Sequence, residues 1–404
     1  MDVKLGGDSE GPLSGLRVVD CSTVVSGPLC GQILGDLGAD VVKIESPQGD
    51  TTRRLGPPFV GGLTPLYAHC NRNKESITLD LKRPEAVDVA LRLARDADVF
   101  LENWRPEVAA RLGLGYETLS AANPGLVYVS INGFGPEGPY AGQPAYDMLI
   151  QALTGLAPEL GTPEEPKLVR NLMADKTSAL SAAYATLAAL FARERHPDSR
   201  GQHVTVPMLD AYAAFSLVDS LNYHTFPPVG ELPPDVISHQ IYRAWKTRDG
   251  HVAAVVIEDR QFHALCRALD REDLIDDPRC ANLITRIQHA GEIFPLLGEE
   301  MAKWTTAELL ERARKFEAPV ARVNDVESFL ADPQVAHNET VFETEDPEAG
   351  TVRLLQNPIR YTATPTSMRR RPPKLGENTE AVLRQLGYGD IEIKALREGG
   401  ALGA

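Results

Sequence analysis

The sequence predicts an α/β fold, with a Rossmann-like large domain built on a helix-covered parallel sheet and a smaller α+β domain. Over the first half of the chain, short β-branched segments alternate with helical ones, which is the pattern of a parallel sheet covered on both faces. A chain of 404 residues is also too long to fold around one hydrophobic core, so two or more domains are expected.

Several segments of the first half are short, rich in β-branched residues and flanked by turn residues, as buried strands are. They are residues 16–21, 40–45, 76–79, 98–102, 126–131 and 203–206. Helices are expected over residues 27–37, where Pro28 lies near the first helical position, and over residues 84–96. A longer Ala/Leu-rich helix should begin at Asp175 and end in the basic turn that starts at Arg193.

The chain becomes Pro-rich and irregular after residue 222, which indicates a boundary between domains. The expected division is a large domain over 1–222, a linker over 223–236, a small α+β domain over 237–335 and a final segment over 336–404. The elements expected after the linker are a hairpin over 242–257 with its turn at Asp249-Gly250, helices over 261–269, 286–304 and 306–315, strands over 318–323 and 354–361, and two short amphipathic helices after residue 374.

Bulk composition excludes several classes of function. The hydrophobic fraction is 43% and the charged fraction 24%, as in a soluble globular protein. The net charge of −15 repels nucleic acid and anionic membranes, so a polyanionic ligand needs a local basic pocket. Five scattered cysteines without a C-x-x-C motif favour neither a zinc site nor a disulfide scaffold. Because the sequence shows neither a signal peptide nor an apolar run of ~18 residues, we expect a cytoplasmic protein. No metal site is expected, since neither the cysteines nor the histidines have the spacing of metal ligands.

The most distinctive segment runs from residue 168 to 211 and places Asp175 where a loop ends and the long helix should begin. Aspartate is favoured at helix N-caps, where its carboxylate accepts backbone N–H groups of the first turn. The helix dipole and the free N–H groups also favour the ionised carboxylate, which is the form that attacks an electrophile. From the residue alone, Asp175 is therefore either a helix cap or a nucleophile.

Six segments resemble family III CoA-transferases, the CaiB/BaiF group that includes formyl-CoA and carnitine CoA-transferases, and they occur in the same order along the chain. They are residues 26–45, 49–54, 71–82, 102–119, 133–155 and 168–211. The resemblance implies that Asp175 is the nucleophile and attacks an acyl-CoA thioester. It further implies an interlocked homodimer in which each chain threads the other, with residues 336–404 completing the large domain.

The same resemblance implies a set of residues that bind CoA, which is a substrate here and not a tightly bound cofactor. Arg53 and Arg111 match family contacts to CoA, and Asn103 and Arg105 match residues that line its channel. A guanidinium suits phosphate because it is planar and carries several donors, although each of these cations could also be a solvated surface residue. The expected CoA-binding residues are Val25, Arg53, Asn71, Arg72, Lys74, Asn103, Arg105, Arg111 and Tyr146.

The implied reaction moves CoA from an acyl-CoA donor to a small carboxylic acid, through an aspartyl anhydride and an enzyme–CoA thioester at Asp175. An acyl-CoA racemase of the same superfamily is disfavoured, because it uses a His-Asp pair where this chain has Tyr146-Asp147, and tyrosine has an ordinary pKa of ~10. A nicotinamide-dependent oxidoreductase would need a G-x-G-x-x-G motif that residues 26–31 lack. A non-catalytic CoA-binding protein stays an alternative, since it would keep the basic segments without needing Asp175.

Two departures from the family pattern concern the substrate. Val25 occupies the place where some formyl-CoA transferases carry glutamine, and residues 256–262 contain no glycine where those enzymes have a glycine-rich loop. Formate and oxalate are therefore disfavoured, and we expect a less polar pocket for a larger acid. His239 and Tyr242 are candidates to line that pocket, whereas none of the nine histidines is assigned a catalytic role.

Overall fold

The computed structural model describes residues 10–221, 224–226 and 242–403 of the chain. The chain divides into two compact units, one of residues 1–222 with 339–404 and the other of residues 223–338. Most of the expected linker over 223–236 lies outside the described residues, and so does His239.

A six-stranded parallel sheet forms the centre of the first unit, which confirms the predicted α/β class. Its strands are β1 (Arg17–Asp20), β2 (Asp40–Glu45), β3 (Lys74–Thr78), β4 (Val99–Glu102), β5 (Val127–Asn132) and β6 (His203–Pro207). They stand in the order β3-β2-β1-β4-β5-β6, so the order of strands reverses between β1 and β4. Because neighbouring strands are parallel, their carboxyl ends meet at one edge of the sheet.

Helices cover both faces of this sheet. They are α1 (Ser26–Asp36), α2 (Pro65–Asn71), α3 (Pro84–Arg95), α4 (Val108–Arg111), α5 (Tyr116–Ala122), α6 (Asp147–Leu153), α7 (Ala157–Leu160), α8 (Met173–Arg195) and α9 (Met208–Ser216). Successive strand residues point to opposite faces, so Phe100 and Tyr128 join one hydrophobic core and Val99 and Val129 join the other. The first core includes α3, and the second includes α1, α8 and α9.

The long helix α8 begins two residues earlier than the sequence predicts. Leu172 precedes its first residue and makes no side-chain cap, and Asp175 is the third residue of the helix, so the capping interpretation of Asp175 is wrong. Small buried residues such as Ala179 and Ala182 let α8 pack closely against α1. No helix among the described residues is long and apolar enough to cross a membrane.

The second unit contains a three-stranded antiparallel sheet and several helices. They are β7 (Trp245–Lys246), β8 (His251–Ala254), α10 (Asp259–Ala268), α11 (Leu283–Gln288), α12 (Ala290–Met301), α13 (Thr306–Phe316), β9 (Val320–Arg322), α14 (Val326–Leu330) and α15 (Pro333–His337). The helix predicted over 286–304 is two helices. Asn282 and Thr285 form a capping box that begins α11, and His289, with φ −106° and ψ 16°, separates α11 from α12.

The C-terminal segment packs within the first unit. It contains the hairpin β10 (Val341–Asp346) and β11 (Gly350–Leu355), followed by α16 (Thr379–Gln385) and α17 (Asp390–Glu398). The strand predicted over 354–361 ends at Leu355, because Asn357 forms a local turn with Ile359 N–H at 3.0 Å and Pro358 has no N–H to donate. Val382 of α16 and Ile393 of α17 join the same core as Phe100.

Candidate active site

A cavity of about 480 Å³ lies at the carboxyl edge of the parallel sheet. Its walls are the segments that follow β1, β4 and β5, together with the beginnings of α6, α8 and α9. This is the place where the strand order reverses, and it is the usual ligand site of open α/β sheets. The lining includes Thr23, Val24, Ser26, Thr51, Asn103, Trp104, Arg105, Gly133, Gly135, Tyr146, Asp147, Asp175 and Met208.

Asp175 lines this cavity from the first turn of α8, and only 8% of its surface is exposed. Burial, and then the charge of Asp147, raises the pKa of Asp175 to about 6. Hydrogen bonds from the hydroxyl and backbone N–H of Ser26 act in the opposite direction. The net shift is contrary to the lowering that a helix N-terminus alone would cause. Asp175 is therefore mostly ionised at neutral pH, and it is shielded from solvent.

Asp147 holds the backbone of Asp175. Its Oδ2 accepts a hydrogen bond from the Asp175 N–H at 3.1 Å, and its Oδ1 accepts one from Nε2 of Gln151 at 2.5 Å. Gln151 in turn accepts the Val169 N–H at 2.9 Å and donates to the Asn171 carbonyl at 3.0 Å, which ties Asp147 to the loop that leads into α8. The sequence indicated only that Asp147 begins a helix, although its place directly after Tyr146 in the loop motif was a signal.

Asn103 fixes the loop that follows β1. Its Oδ1 accepts the Thr23 N–H at 2.8 Å, and its Nδ2 donates to the Thr23 carbonyl at 2.7 Å and to Ser26 Oγ at 3.3 Å. The next residue, Val24, has φ 71°, a left-handed conformation that is costly for a β-branched side chain. The Val24 N–H donates to the carboxylate of Asp50 at 3.2 Å. The loop that presents Ser26 to Asp175 is thus held from two sides in a strained conformation.

The sequence pattern of CoA-transferase family III matches residues 13–379, which is most of the chain. The protein belongs to this family. It is similar to a succinate–glutarate CoA-transferase from Agrobacterium fabrum, with 36% identity over 387 residues that cover 93% of this chain and 96% of the relative. It is also similar to the human succinyl-CoA:glutarate CoA-transferase, with 32% identity over 401 residues that cover 97% of this chain and 90% of the relative.

A solved structure shows the same relationship. The crystal structure of a CaiB/BaiF family protein from Brucella suis matches with a TM-score of 0.81 and 33% identity, and the match covers 93% of this chain and 99% of the other. The resemblance carried by the six segments is therefore confirmed. The chain is an enzyme of the CoA-transferase class.

Two of the arginines expected to bind CoA are paired inside this family III CoA-transferase. Arg53 donates to both carboxylate oxygens of Glu45, at 2.8 and 2.7 Å. Burial alone would raise the pKa of Glu45, but the hydrogen bonds from Arg53 lower it to about 2. Arg72 donates to both oxygens of Asp36, at 2.9 and 2.6 Å. Neither arginine lines the cavity, so their contact with CoA stays a prediction.

Lys74 and Asn71 are likewise bonded within the protein. Both are fully buried, and Lys74 Nζ donates to Asp20 Oδ2 at 2.8 Å and to Asn71 Oδ1 at 2.9 Å. The side chain of Asn71 also donates to the Tyr67 carbonyl at 3.0 Å. These contacts give both residues a structural role, and a role in binding CoA is untested.

Some of the remaining predicted residues line the cavity and others do not. Asn103, Arg105 and Tyr146 line it together with Asp175, whereas Val25 and Arg111 do not. Val25 is only 1% exposed, so the valine itself does not change the polarity of the wall. The two arginines are exposed, and neither has an ion pair with another described residue. Tyr242 is 84% exposed and belongs to the second unit.

Replacing Lys74 by methionine should lower the free energy of unfolding by about 3–5 kcal/mol, because Asp20 would stay buried without its partner. Urea unfolding followed by circular dichroism measures this difference. Lys82→Met is the matched control, since Lys82 is exposed, and it should change stability by less than about 0.5 kcal/mol. Equal stability of the two variants would show that the ion pair is dispensable for folding.

Proposed function

We propose that the protein transfers CoA between carboxylic acids, of which at least one is dicarboxylic, through covalent intermediates on Asp175. The observation that carries the proposal is a buried carboxylate on the wall of the cavity at the carboxyl edge of the sheet. Both relatives named above are named for succinate and glutarate, and those two acids are the ones we propose for this chain.

The transfer proceeds by four nucleophilic attacks. The Asp175 carboxylate attacks the donor thioester carbonyl, a C–O bond forms, the C–S bond breaks, and an aspartyl–acyl anhydride and CoA thiolate result. The thiolate attacks the aspartyl carbonyl, releases the donor acid and leaves an Asp175–CoA thioester. The acceptor carboxylate attacks that thioester, frees the CoA thiolate and forms a second aspartyl anhydride. The thiolate then attacks the acceptor's carbonyl in this anhydride, which gives the new acyl-CoA and restores the Asp175 carboxylate. The thioester is never exchanged for a bond of much lower energy, so no ATP is needed.

The neighbours of Asp175 support the first attack. Asp147 fixes its backbone and Ser26 binds its carboxylate, so the nucleophile is oriented by two independent contacts. Burial removes water that would otherwise solvate the carboxylate and hydrolyse the anhydride. Backbone N–H groups of residues 133–146 and of the first turn of α8 are the candidates to stabilise the oxyanions. Gly135 is not among them, because its N–H donates to Asn132 Oδ1 at 2.6 Å.

Arg105 supports the dicarboxylic part of the proposal. Of the described residues that line the cavity, it alone has a cationic side chain, and it has no carboxylate partner in the described protein. Asp147 and Asp175 line the same cavity, so an acid that enters it meets two like charges and needs a cation to bind. We infer that the guanidinium binds the substrate carboxylate that does not react, in the bidentate geometry that suits arginine.

An apolar face on three adjacent helices supports a homodimer. On α8, Leu180, Tyr184 and Phe191 are 55%, 66% and 64% exposed, and their spacing of four and seven residues places them on one stripe. The neighbouring helices α6 and α9 add the exposed side chains of Leu153 and Phe215. Because exposed apolar patches mark protein contacts, we propose that a second copy covers this face, interlocked as the family resemblance implies.

The expected domain division and cytoplasmic location belong to the same proposal. The C-terminal segment packs within the first unit, in keeping with a large domain that the end of the chain completes. Five buried cysteines, none of them in a disulfide, fit a reducing compartment.

Asp175 should become covalently labelled when the protein is incubated with succinyl-CoA and quenched with hydroxylamine, because an aspartyl anhydride or thioester gives an aspartyl hydroxamate. Peptide mass spectrometry locates the label. Asp175→Asn should carry none and should lose transfer by about 10³-fold or more. Asp210→Asn, which changes an exposed aspartate in the first turn of α9, should keep both label and activity. A hydroxamate on another residue would refute the assignment of the nucleophile.

The rate of acylation should fall as the pH is lowered through about 6, because Asp175 is protonated below its pKa. Asp147→Asn removes a neighbouring negative charge, so the midpoint should move to lower pH. Rapid-quench single turnovers with succinyl-CoA between pH ~5 and ~8 measure the midpoint. Glu137→Gln, an exposed change in the loop before α6, is the control and should leave it in place. A midpoint unmoved by Asp147→Asn would show that the charge of Asp147 does not act on Asp175.

Arg105→Gln should lower kcat/KM for succinyl-CoA and for glutarate by about 10- to 100-fold, the loss expected for a charge-assisted hydrogen bond. The loss with acetyl-CoA and butyrate, which lack a second carboxylate, should be smaller than threefold. Arg111→Gln is the matched comparison, because Arg111 is also exposed and unpaired among the described residues but lies outside the cavity wall. Equal losses for all acids in Arg105→Gln would assign Arg105 to the CoA moiety instead.

A further inference from the structure

Glu102 is a buried carboxyl group to which the proposed reaction gives no role. It is the last residue of β4 and is 5% exposed. The residues that follow it, 103–106, all line the cavity, and we call them the wall segment. Glu102 Oε2 accepts the N–H of Trp104 in this segment at 2.7 Å. The carboxyl is thus bonded directly to the backbone of the cavity wall.

A line of hydrogen bonds leads from Glu102 across three neighbouring strands to the surface. Ser130 stands opposite Glu102 in the pairing of β4 with β5, and its hydroxyl bonds the Glu102 carboxylate. The same hydroxyl lies 2.9 Å from Nε2 of His203 on β6. The His203 ring is exposed and is stacked on Tyr116, with the ring centroids 5.0 Å apart. Both ends of the line are therefore fixed in place, and one end faces solvent.

Each group in this line can be satisfied in two arrangements of protons. With Glu102 neutral, its O–H donates to Ser130 Oγ, and the Ser130 O–H donates to bare Nε2 of a neutral His203 that carries its proton on Nδ1. With Glu102 ionised, the Ser130 O–H donates to the carboxylate, and Nε2–H of His203 donates to Ser130 Oγ. Conversion to the second arrangement moves one proton along each hydrogen bond and releases the Nδ1 proton to water.

Both arrangements are accessible near neutral pH. Burial raises the pKa of Glu102 to about 7, against the lowering by the Ser130 and Trp104 hydrogen bonds. Burial lowers the pKa of His203, against the effect of Glu117 on α5, so its ring is neutral in this range.

The other titratable groups that face Glu102 stay neutral. They are Cys21, which follows β1, and Tyr128 on β5. Burial raises the pKa of both groups, and negative charges that include Glu102 raise it further. Glu102 is thus the group in this cluster whose charge changes at about pH 7.

We propose that Glu102 is a positioning residue for the cavity and that Ser130 and His203 connect its carboxyl group to solvent. Through the Trp104 N–H, the wall segment then responds to the protonation of one buried group. Residues 103–106 of this segment line the cavity, so the response reaches the wall that meets the substrate although Glu102 itself does not line the cavity. Only the effect on kinetics rests on the proposed function.

Fluorine NMR of protein labelled with 5-fluorotryptophan tests the link between Glu102 and the wall segment. The chain has three tryptophans, and Trp104→Phe assigns the resonance of Trp104. In the wild type this resonance should shift with a midpoint at about pH 7. Glu102→Gln, which keeps an oxygen to accept the Trp104 N–H but cannot ionise, should abolish the shift. The other two tryptophans are internal controls. A Trp104 resonance that does not titrate in the wild type, or that still titrates in Glu102→Gln, overturns the proposal.

Nitrogen-15 spectra of labelled histidine test the connection to solvent. His203, assigned through His203→Gln, should change from the Nδ1–H to the Nε2–H tautomer at the pH where Trp104 titrates. Ser130→Ala should raise the midpoint of Trp104, because the Ser130 hydrogen bond lowers the pKa of Glu102, and should uncouple the His203 tautomer from it. If Ser130→Ala changes neither, the connection is refuted.

Kinetics separate this inference from the proposed function. In the wild type, KM for succinyl-CoA should show an inflection at the pH where Trp104 titrates, and kcat should not. The inflection should be absent in Glu102→Gln. A merely structural role of Glu102 would not make the pH dependence of KM disappear in this variant. If Trp104 titrates as expected but no pair of acids supports transfer, the proposed function fails and the positioning role of Glu102 stands. If transfer occurs and the KM inflection persists in Glu102→Gln, the proposed function stands and the positioning role of Glu102 fails.

Discussion

The loop that follows β1 depends on two lysines buried beneath it. Lys43 Nζ donates to the Ser22 carbonyl at 2.8 Å and lies 3.1 Å from Asp50, and Lys74 Nζ lies 2.8 Å from Asp20. An ammonium group in such a place costs several kcal/mol unless it is paired, so each lysine requires its carboxylate and each carboxylate requires its lysine. Lys43 thereby fixes the Ser22 carbonyl, and Lys74 fixes the side chain of Asp20. Asp50, the partner of Lys43, also accepts the N–H of Val24, the strained residue of the loop that presents Ser26 to Asp175.

The same constraint decides which cations are free for a ligand. Arg53, Arg72 and Lys74 belong to segments that resemble CoA-binding loops, yet their charges already balance carboxylates near the ends of β1 and β2 and on α1. Arg105 and Arg111, in the segment that follows β4, have no such partner among the described residues. In a chain of net charge −15, Arg105 is therefore the cation of these segments that lines the cavity among the described residues, without a carboxylate to balance it.

Hydrophobic patterns in the sequence were enough to find most of the sheet, because β-branched residues carry that signal, as in Asp40–Glu45. The pattern missed the polar start of β3, which begins at Lys74 and not at residue 76 as predicted. It failed at the start of α8 because Leu172 carries no capping group. Of the residues predicted for the site, those that line the cavity come from recognisable motifs, and their roles stay predictions: Asp175, Asn103, Arg105 and Tyr146. The contacts of Ser26 and Asp147 with Asp175 could not be predicted, because they join residues far apart in the sequence, 28 positions for Asp147; the loop motif marked Asp147 but not its partner.

In the proposed reaction, the cavity has to admit an anionic substrate and also hold the carboxylate that attacks it. At a pKa of about 6, Asp175 is ionised in most molecules at neutral pH, and neutralising it costs about 1.4 kcal/mol for each pH unit above the pKa. Burial and the charge of Asp147 therefore destabilise the reactant carboxylate by a modest amount, without removing it. In the proposed reaction, acylation converts Asp175 into a neutral anhydride, so the repulsion between Asp175 and Asp147 and the burial penalty of the carboxylate both disappear. The interactions that raise the pKa of Asp175 are thus relieved in the first step of the proposed mechanism, so they favour attack by the carboxylate instead of opposing it.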